Sequence, residues 1–326
     1  MVASDAGAGQ ALLLTHDGAR AVLHGGGEAA LFDLRDERTV TLLPDGVEAV
    51  ALADAGPWLL TGDDGGRLCR WDIADLPDHG GRPGPAFRFP AHRGPVATVA
   101  ISPDGRYGAS TASVDARDGG GDGSRPGSDR GELCGWDLAS GERLWRHAGR
   151  PVRAGFRFAP DGRTLLEHDH LGVHGYDAAS GRRIYSLDGL YNSHHLAISA
   201  DGRHSVAAGY GRLAVFDTAT GRVLREFRDP GLVNALKLTS DGRFALVGLT
   251  DQEVHVWDLD RERRLRVLGG HQGPVFGLAL SADDRYLLAS GLDSVRCWEL
   301  DWDHTWEPDP APGAGGGPGA APRRER

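Results

Sequence analysis

Short runs of apolar residues, each the length of a strand, follow one another along most of this 326-residue chain. Tight turns separate them, and almost no segment repeats its apolar positions with the three-to-four-residue spacing of a helix. A turn signal recurs as "THDGAR" at Asp17, "SPDGR" at Asp104, "APDGR" at Asp161, "SADGR" at Asp201, "TSDGR" at Asp241 and "SADDR" at Asp283. The last four copies stand 40, 40 and 42 residues apart. Asp-Gly between apolar runs predicts a hairpin, because glycine accepts the positive φ that such a turn needs.

Each turn is followed by an apolar strand that closes on an aromatic residue, usually with an acid after it. The aromatics are Phe32, Trp71, Trp136, Tyr176, Phe216, Trp257 and Trp298, at intervals of 39, 65, 40, 40, 41 and 41. A further turn and strand come next, as in "ASGERLW", "ASGRRIYSL", "ATGRVLREF" and "DRERRLRVL". Each unit therefore reads as four short antiparallel strands. Seven such units predict an all-β fold, a seven-bladed β-propeller of four-stranded antiparallel blades.

Over roughly residues 10–300 the sequence resembles the WD40-repeat family. "GHQGPVFGLALSADDRYLLASGLDSVRCWEL" matches the family's GH-to-WD unit well, and "AHRGPVATVAISPDGR" next best. The expected layout is an N-terminal segment (1–9), a WD40-like propeller (10–307) and a disordered Gly/Pro/Ala-rich tail (308–326). A mobile insertion, "SVDARDGGGDGSRPGSDRG" (113–131), sits between the second and third strands of the third unit. Its Gly, Ser, Asp and Pro content is too poor in apolar side chains to order itself, and its acids do not fit a calcium loop.

The resemblance implies a buried hydrogen-bonded chain of Asp, His, Ser or Thr, and Trp in each blade. The seventh unit offers His271, Ser290, Asp293 and Trp298. The third offers His92, Ser110 and Trp136, with Asp129 displaced. The sixth keeps Asp251 and Trp257 but lacks the His. Trp71 serves the second, and Tyr176, Phe216 and Phe32 fill space without an indole donor. Cys69 and Cys134, each two residues before a Trp, read as small buried hydrophobes.

Composition narrows the function. The net charge of −10 gives no footprint for nucleic acid or anionic membrane. Three scattered cysteines without a CxxC pair argue against a disulfide framework or zinc site. The first residues look like neither signal peptide nor anchor, so the expectation is a cytoplasmic monomer. Lys237 is the only lysine among 36 cations, a codon bias that points to a high-GC, bacterial source. "WELDW" resembles the end of WD40 regions in bacterial multidomain proteins that carry signalling domains.

No nucleophile-and-base motif, phosphate loop or cofactor fingerprint occurs. "EHDHLGVH" places His168, His170 and His174 where two adjacent strands of one unit meet, the one candidate metal set. The favoured reading is a non-enzymatic scaffold or sensor that binds a protein or peptide and needs no cofactor. The alternative is a lactonase- or hydrolase-like propeller with a metal or polar site in the central channel. The resemblance directs partners to the face where the inner strands begin. There Gln10, Glu48, Arg153, His194, Asn234 and Phe276 hold equivalent positions with unlike chemistry.

The seventh unit ends in "CWELDWDHTWEP", with no obvious outer strand. The resemblance implies an N-terminal strand there, but "MVASDAGAG" is a poor strand former. His304–Trp306, ended by Pro308, is the favoured alternative, and an open edge is the third.

Overall fold

A computed structural model of the chain describes residues 10–15, 20–25, 27–33, 38–42, 46–53, 56–74, 84–113, 130–151, 155–169, 171–190, 195–209, 211–228, 230–281, 283–291 and 294–302. Among them every regular element is a strand, so none is a helix long and apolar enough to cross a membrane. The strands form seven antiparallel sheets, each a meander in chain order. Blades one to six have four strands and span 10–42, 47–90, 96–151, 155–188, 195–228 and 233–268; blade seven has three among the described residues and spans 275–299. This is the seven-bladed propeller that the repeat predicts. The insertion's residues 114–129, the N-terminal segment 1–9 and the segment from 303 onward lie outside the described residues.

First strands of adjacent blades lie side by side: Val47–Leu52 beside Val96–Ile101, Val233–Leu238 beside Val275–Leu280. That places the first strand innermost. Strand alternation then sends one face of each blade to the preceding blade and the other to the following one. Six buried clusters result, one for each successive pair of blades. Val22 and Leu31 of blade one meet Leu59, Cys69 and Trp71 of blade two. Leu166 and Val173 of blade four meet Leu196, Ala207 and Phe216 of blade five. At about 25 cal/mol per Å² of apolar surface removed from water, these inter-blade layers supply the main drive to fold.

The register assigns each blade's aromatic its partner. Trp71 stands opposite Leu59, and two residues further along that strand lies Thr61, whose Oγ1 accepts the Trp71 indole N–H at 2.9 Å. Trp136 donates likewise to Ser110 at 2.8 Å. In blade four the equivalent pair is Tyr176 and Glu167, the phenol donating to the buried carboxylate at 2.8 Å; Tyr176 therefore carries a donor of its own. Phe32 and Phe216, which have no donor, face Leu23 and Ala207, which have no acceptor.

Blades six and seven break the match. Val247 stands at this position opposite Trp257, whose Nε1 is buried without a partner. In blade seven the position belongs to Ala289, not to Ser290. Ser290 alternates to the other face, where its Oγ lies against Gly277. His271 is buried with its ring 5.8 Å from that of Trp298. Asp251 is exposed, and Asp293 and Asp129 lie outside the described residues.

Val247→Thr is nearly isosteric and supplies the missing acceptor. A net hydrogen bond contributes about 1 kcal/mol. The variant should raise the unfolding free energy by that order and so move the urea midpoint up, whereas Val247→Ala, which only removes volume, should lower it.

Candidate partner-binding rim

Among the described residues, four first strands carry a β-bulge, seen as a one-residue skip in pairing with the second strand. The skips fall between Val47 and Ala49, Val96 and Thr98, Val233 and Ala235, and Val275 and Gly277. The extra residues are Glu48, Ala97, Asn234 and Phe276. A bulge removes one residue from the ladder and re-aims its side chain. Glu48, Ala97 and Phe276 are exposed, Phe276 by 53% despite its size. Asn234 is half-buried, its Nδ2 donating to Thr250 Oγ1 at 3.1 Å, and Thr250 Oγ1 donates in turn to Leu232 O at 3.2 Å.

Thr250 belongs to the connection between second and third strands, so these bonds place that connection at the same end as the bulges. Leu171 and Leu232 are also at this end, exposed by 48% and 54%. Of the other sequence candidates, Gln10 begins the first strand of blade one, while Arg153 and His194 lie outside the described residues. Ala97 was missed because alanine carries no chemical signal. Aligning "RGPVA" with "QGPVF" would have found it, since Ala97 and Phe276 follow the same Gly-Pro-Val.

The two described histidines of the candidate metal set, His168 and His174, do not come together. Glu167 pairs directly with His174 and His168 with Val173, so His168 and His174 point to opposite faces of the hairpin. His168 packs so closely over Gly155 that a Cβ there would lie 2.2 Å from its Nε2. His174 Nδ1 is 2.7 Å from Ser186 Oγ. Asp169 Oδ1 accepts the amides of Leu171 and Gly172 at 2.7 and 3.1 Å, which fixes the hairpin turn. His170 lies outside the described residues. His168 and His174 therefore do not share a face, and the set of three is not brought together among the described residues.

Among the described residues, His92, Glu132 and Cys134 do bring three ligand atoms within 4.8 Å of one another. Their chemistry is spent internally. Trp136 donates to Ser110, Ser110 lies 2.7 Å from His92 Nε2, and His92 Nδ1 lies 2.6 Å from Glu132 Oε1. Donor counting makes His92 a neutral imidazole that accepts from Ser110 and donates to Glu132. Burial lowers its basicity, against the pull of Glu132. For Glu132 burial works against ionisation, but hydrogen bonds from His92 and Arg146 outweigh it and hold the carboxyl below its usual range. Burial pushes the Cys134 thiol up to about 12, so it stays protonated. The group is a structural chain in which Glu132, on the third strand, fills the acid's place.

Comparison with known proteins agrees with this architecture. The family profile described as "WD domain, G-beta repeat" matches residues 84–120 and 262–299, which include the His92 and His271 units. The profile described as "Outer membrane protein assembly factor BamB" matches residues 129–258. Human WD repeat-containing protein 36 is 32% identical over 68 residues, 21% of this chain and 8% of that protein. The Arabidopsis thaliana protein "Cell division cycle 20.1, cofactor of APC complex" is 38% identical over 68 residues, 21% of this chain and 14% of its own. Caenorhabditis elegans "Transcription factor unc-37" is 36% identical over 67 residues, 20% and 11% respectively. The matched stretch is thus a small fraction of each relative's length, about the size of one to two blades. The repeat, the seven sheets and these matches together show a WD40-like seven-bladed propeller.

Proposed function

We propose that this protein is a non-catalytic interaction scaffold or sensor in bacterial signalling, a cytoplasmic monomer that binds a protein or peptide on the bulged rim. The observation that carries the reading is the set of bulges. Four repeat-equivalent positions are lifted out of the ladder, and they bear an acid, a methyl group, an amide and a phenyl ring. Repeat positions that only maintain a fold converge on similar side chains, as the buried layers do here. A rim whose equivalent positions differ presents a surface specific to one partner, and a rigid ring of strands fixes its geometry. The Arabidopsis relative is named as a cofactor of a complex, a role of the same general kind.

The test is capture from a high-GC bacterial lysate with the wild-type chain and with Glu48→Ala, Asn234→Ala and Phe276→Ala combined. All three side chains are at the surface or half-buried, so the circular dichroism spectrum should not change. The expected result is loss of a partner that the wild type retains. An identical set of captured proteins from both chains sinks the assignment to this rim.

A further inference from the structure

The fourth strands of blades four, five and six carry a charge opposite to that of the chain. Residues 182–188, 222–228 and 260–268 hold nine arginines and four acids, a charge of +5 in a chain of −10, so the remaining residues carry −15. Eight of the nine arginines are exposed, and Arg225 is half-buried. Two of the four acids, Asp260 and Glu262, are taken up by Arg225 at 3.7 and 3.4 Å.

One construction, repeated from blade to blade, makes these stretches continuous. Trp145, Tyr185 and Arg225 hold the same place on successive fourth strands, opposite Gly135, Gly175 and Val215. Each reaches forward to the third-to-fourth turn of the following blade. Trp145 donates to Ala178 O and Tyr185 to Thr218 O, both at 2.8 Å, and Arg225 pairs with Asp260 and Glu262. Gly181 and Gly221 lie so close that a Cβ would stand 2.4 Å from Trp145 Cγ and 2.3 Å from Tyr185 Cδ2. Glu262 takes the same left-handed place in blade six, at φ 54. The next residue in each turn is an arginine: Arg182, Arg222 and Arg263. The clasps thus join three stretches into one basic belt. It lies at the end of the blades opposite the second-to-third connections, away from the bulged rim.

We propose that this belt binds an acidic polypeptide segment, on a surface separate from the rim. Protection of sheet edges against pairing would call for charge on every outer strand. Those of blades one and two, Arg38–Leu42 and Phe87–Pro90, hold one arginine each. Curvature and side-chain chemistry select the occupant. In a ring of seven blades the outer strands of blades four and six stand roughly 100° apart about the axis. A flat bilayer or a stiff duplex meets only part of such a convex belt, whereas a flexible chain follows it. Single-stranded nucleic acid needs exposed rings for its bases. Here Phe227 is buried and the Tyr185 ring is covered by Gly221. The exposed apolar side chains between the arginines are aliphatic, Ile184 and Val223 at 36% and 42%. Guanidinium groups grip carboxylates through paired N–H donors, and the two aliphatics take apolar side chains of the same segment.

The experiment follows the fluorescence anisotropy of a fluorescein-labelled peptide of four Glu-Val-Glu-Asp repeats, titrated with the full chain at about 50 mM salt, where surface charges are weakly screened. Arg183→Glu, Arg222→Glu and Arg263→Glu combined should weaken binding at least about tenfold. Arg88→Glu, Arg106→Glu and Arg203→Glu combined, an equal change of charge on exposed arginines elsewhere, should stay within about threefold of wild type. The rim variant should bind this peptide like wild type, so the belt and the rim stand or fall separately. If the belt variant loses its circular dichroism spectrum, the same three positions changed to Gln are compared with a matching Gln control. No binding by the wild-type chain overturns the proposal, and so does an equal loss in both variants, which would reduce binding to net charge. Tighter binding of poly-uridylate or of phosphatidylserine vesicles than of the peptide would assign the belt to nucleic acid or to membrane, and also overturns it.

Discussion

Glu132→Ala will destabilise the fold by about 3 kcal/mol, the size of breaking a buried hydrogen-bonded pair from one side. The chain from Trp136 through Ser110 and His92 to Glu132 lies between second and third strands of blade three, and Ser110 is fully buried. Removing the carboxylate leaves the Nδ1–H of the fully buried His92 side chain without its acceptor, and it also frees Arg146, whose Nε donates to Glu132. Glu132→Gln keeps an acceptor and should cost about 1 kcal/mol. Urea midpoints followed by tryptophan fluorescence will separate the two; equal midpoints for wild type and Glu132→Ala would refute the structural role.

The same chain sets a dependence on pH. The folded-state pKa of His92 lies below its ordinary 6.5, so the unfolded chain takes up the proton first. Its contribution is complete above pH 6.5 and falls as the pH drops from there toward the folded value. Glu132 is depressed below its ordinary 4.5, so its contribution is present above 4.5 and is lost as the pH falls through its lower folded value. Both losses are on the acid side. Without Glu132 nothing on the acid side of His92 opposes burial, and the decline below pH 6.5 should be steeper. Midpoints at pH 7.5 and 5.5 should therefore diverge more in Glu132→Ala than in wild type.

Much of the architecture could be read from spacing alone. Seven aromatics at a near-constant interval specify seven sheets, and blade seven, whose sequence shows no obvious outer strand, has three strands among the described residues. Side-chain pairing was less legible, for reasons of register. The acid of the blade-three chain was sought in a loop, at Asp129, but a third-strand residue reaches the same imidazole because Glu132 and Cys134 share a face two residues apart. Ser290 is one residue from the position facing Trp298, and one residue reverses a strand's face. His168 and His174 part for the same reason, since where a hairpin turns decides which residues oppose each other. The bulges leave no mark in a single strand, because an extra residue exists only relative to its partner. Glu48, Asn234 and Phe276 stood out by their unlike chemistry, and the pairing supplies the physical cause of the exposure of Glu48 and Phe276.

Trp302→Ala is expected to loosen blade seven from blade six and to cost about 2–3 kcal/mol, at or below the bottom of the range for removing a buried large aromatic, because Trp302 is only part-buried. Its indole stacks on Phe244 of blade six with ring centres 4.5 Å apart and planes 20° from parallel. Behind Phe244 sits Arg243, its guanidinium 4.7 Å from the ring and bonded to the fully buried Asp258 at 3.2 Å. The indole N–H meets the carbonyl of Asp284, a residue held at φ 57 where the equivalent turns use Gly202 and Gly242. A left-handed Asp costs on the order of 1 kcal/mol, and Asp284 offsets it by accepting from Ser240 N and Oγ of blade six at 2.8 and 2.6 Å. Stack, carbonyl and carboxylate thus converge on one joint, and a lost indole leaves the Asp284 strain with fewer bonds to hold it. Trp302→Phe keeps the stack and loses the hydrogen bond, so it should cost about 1 kcal/mol. Amide exchange gives the decisive readout: faster exchange in 275–299 with 10–42 unchanged shows a local joint, whereas uniform acceleration would place Trp302 in the global core and a rate like wild type would remove it from the joint altogether.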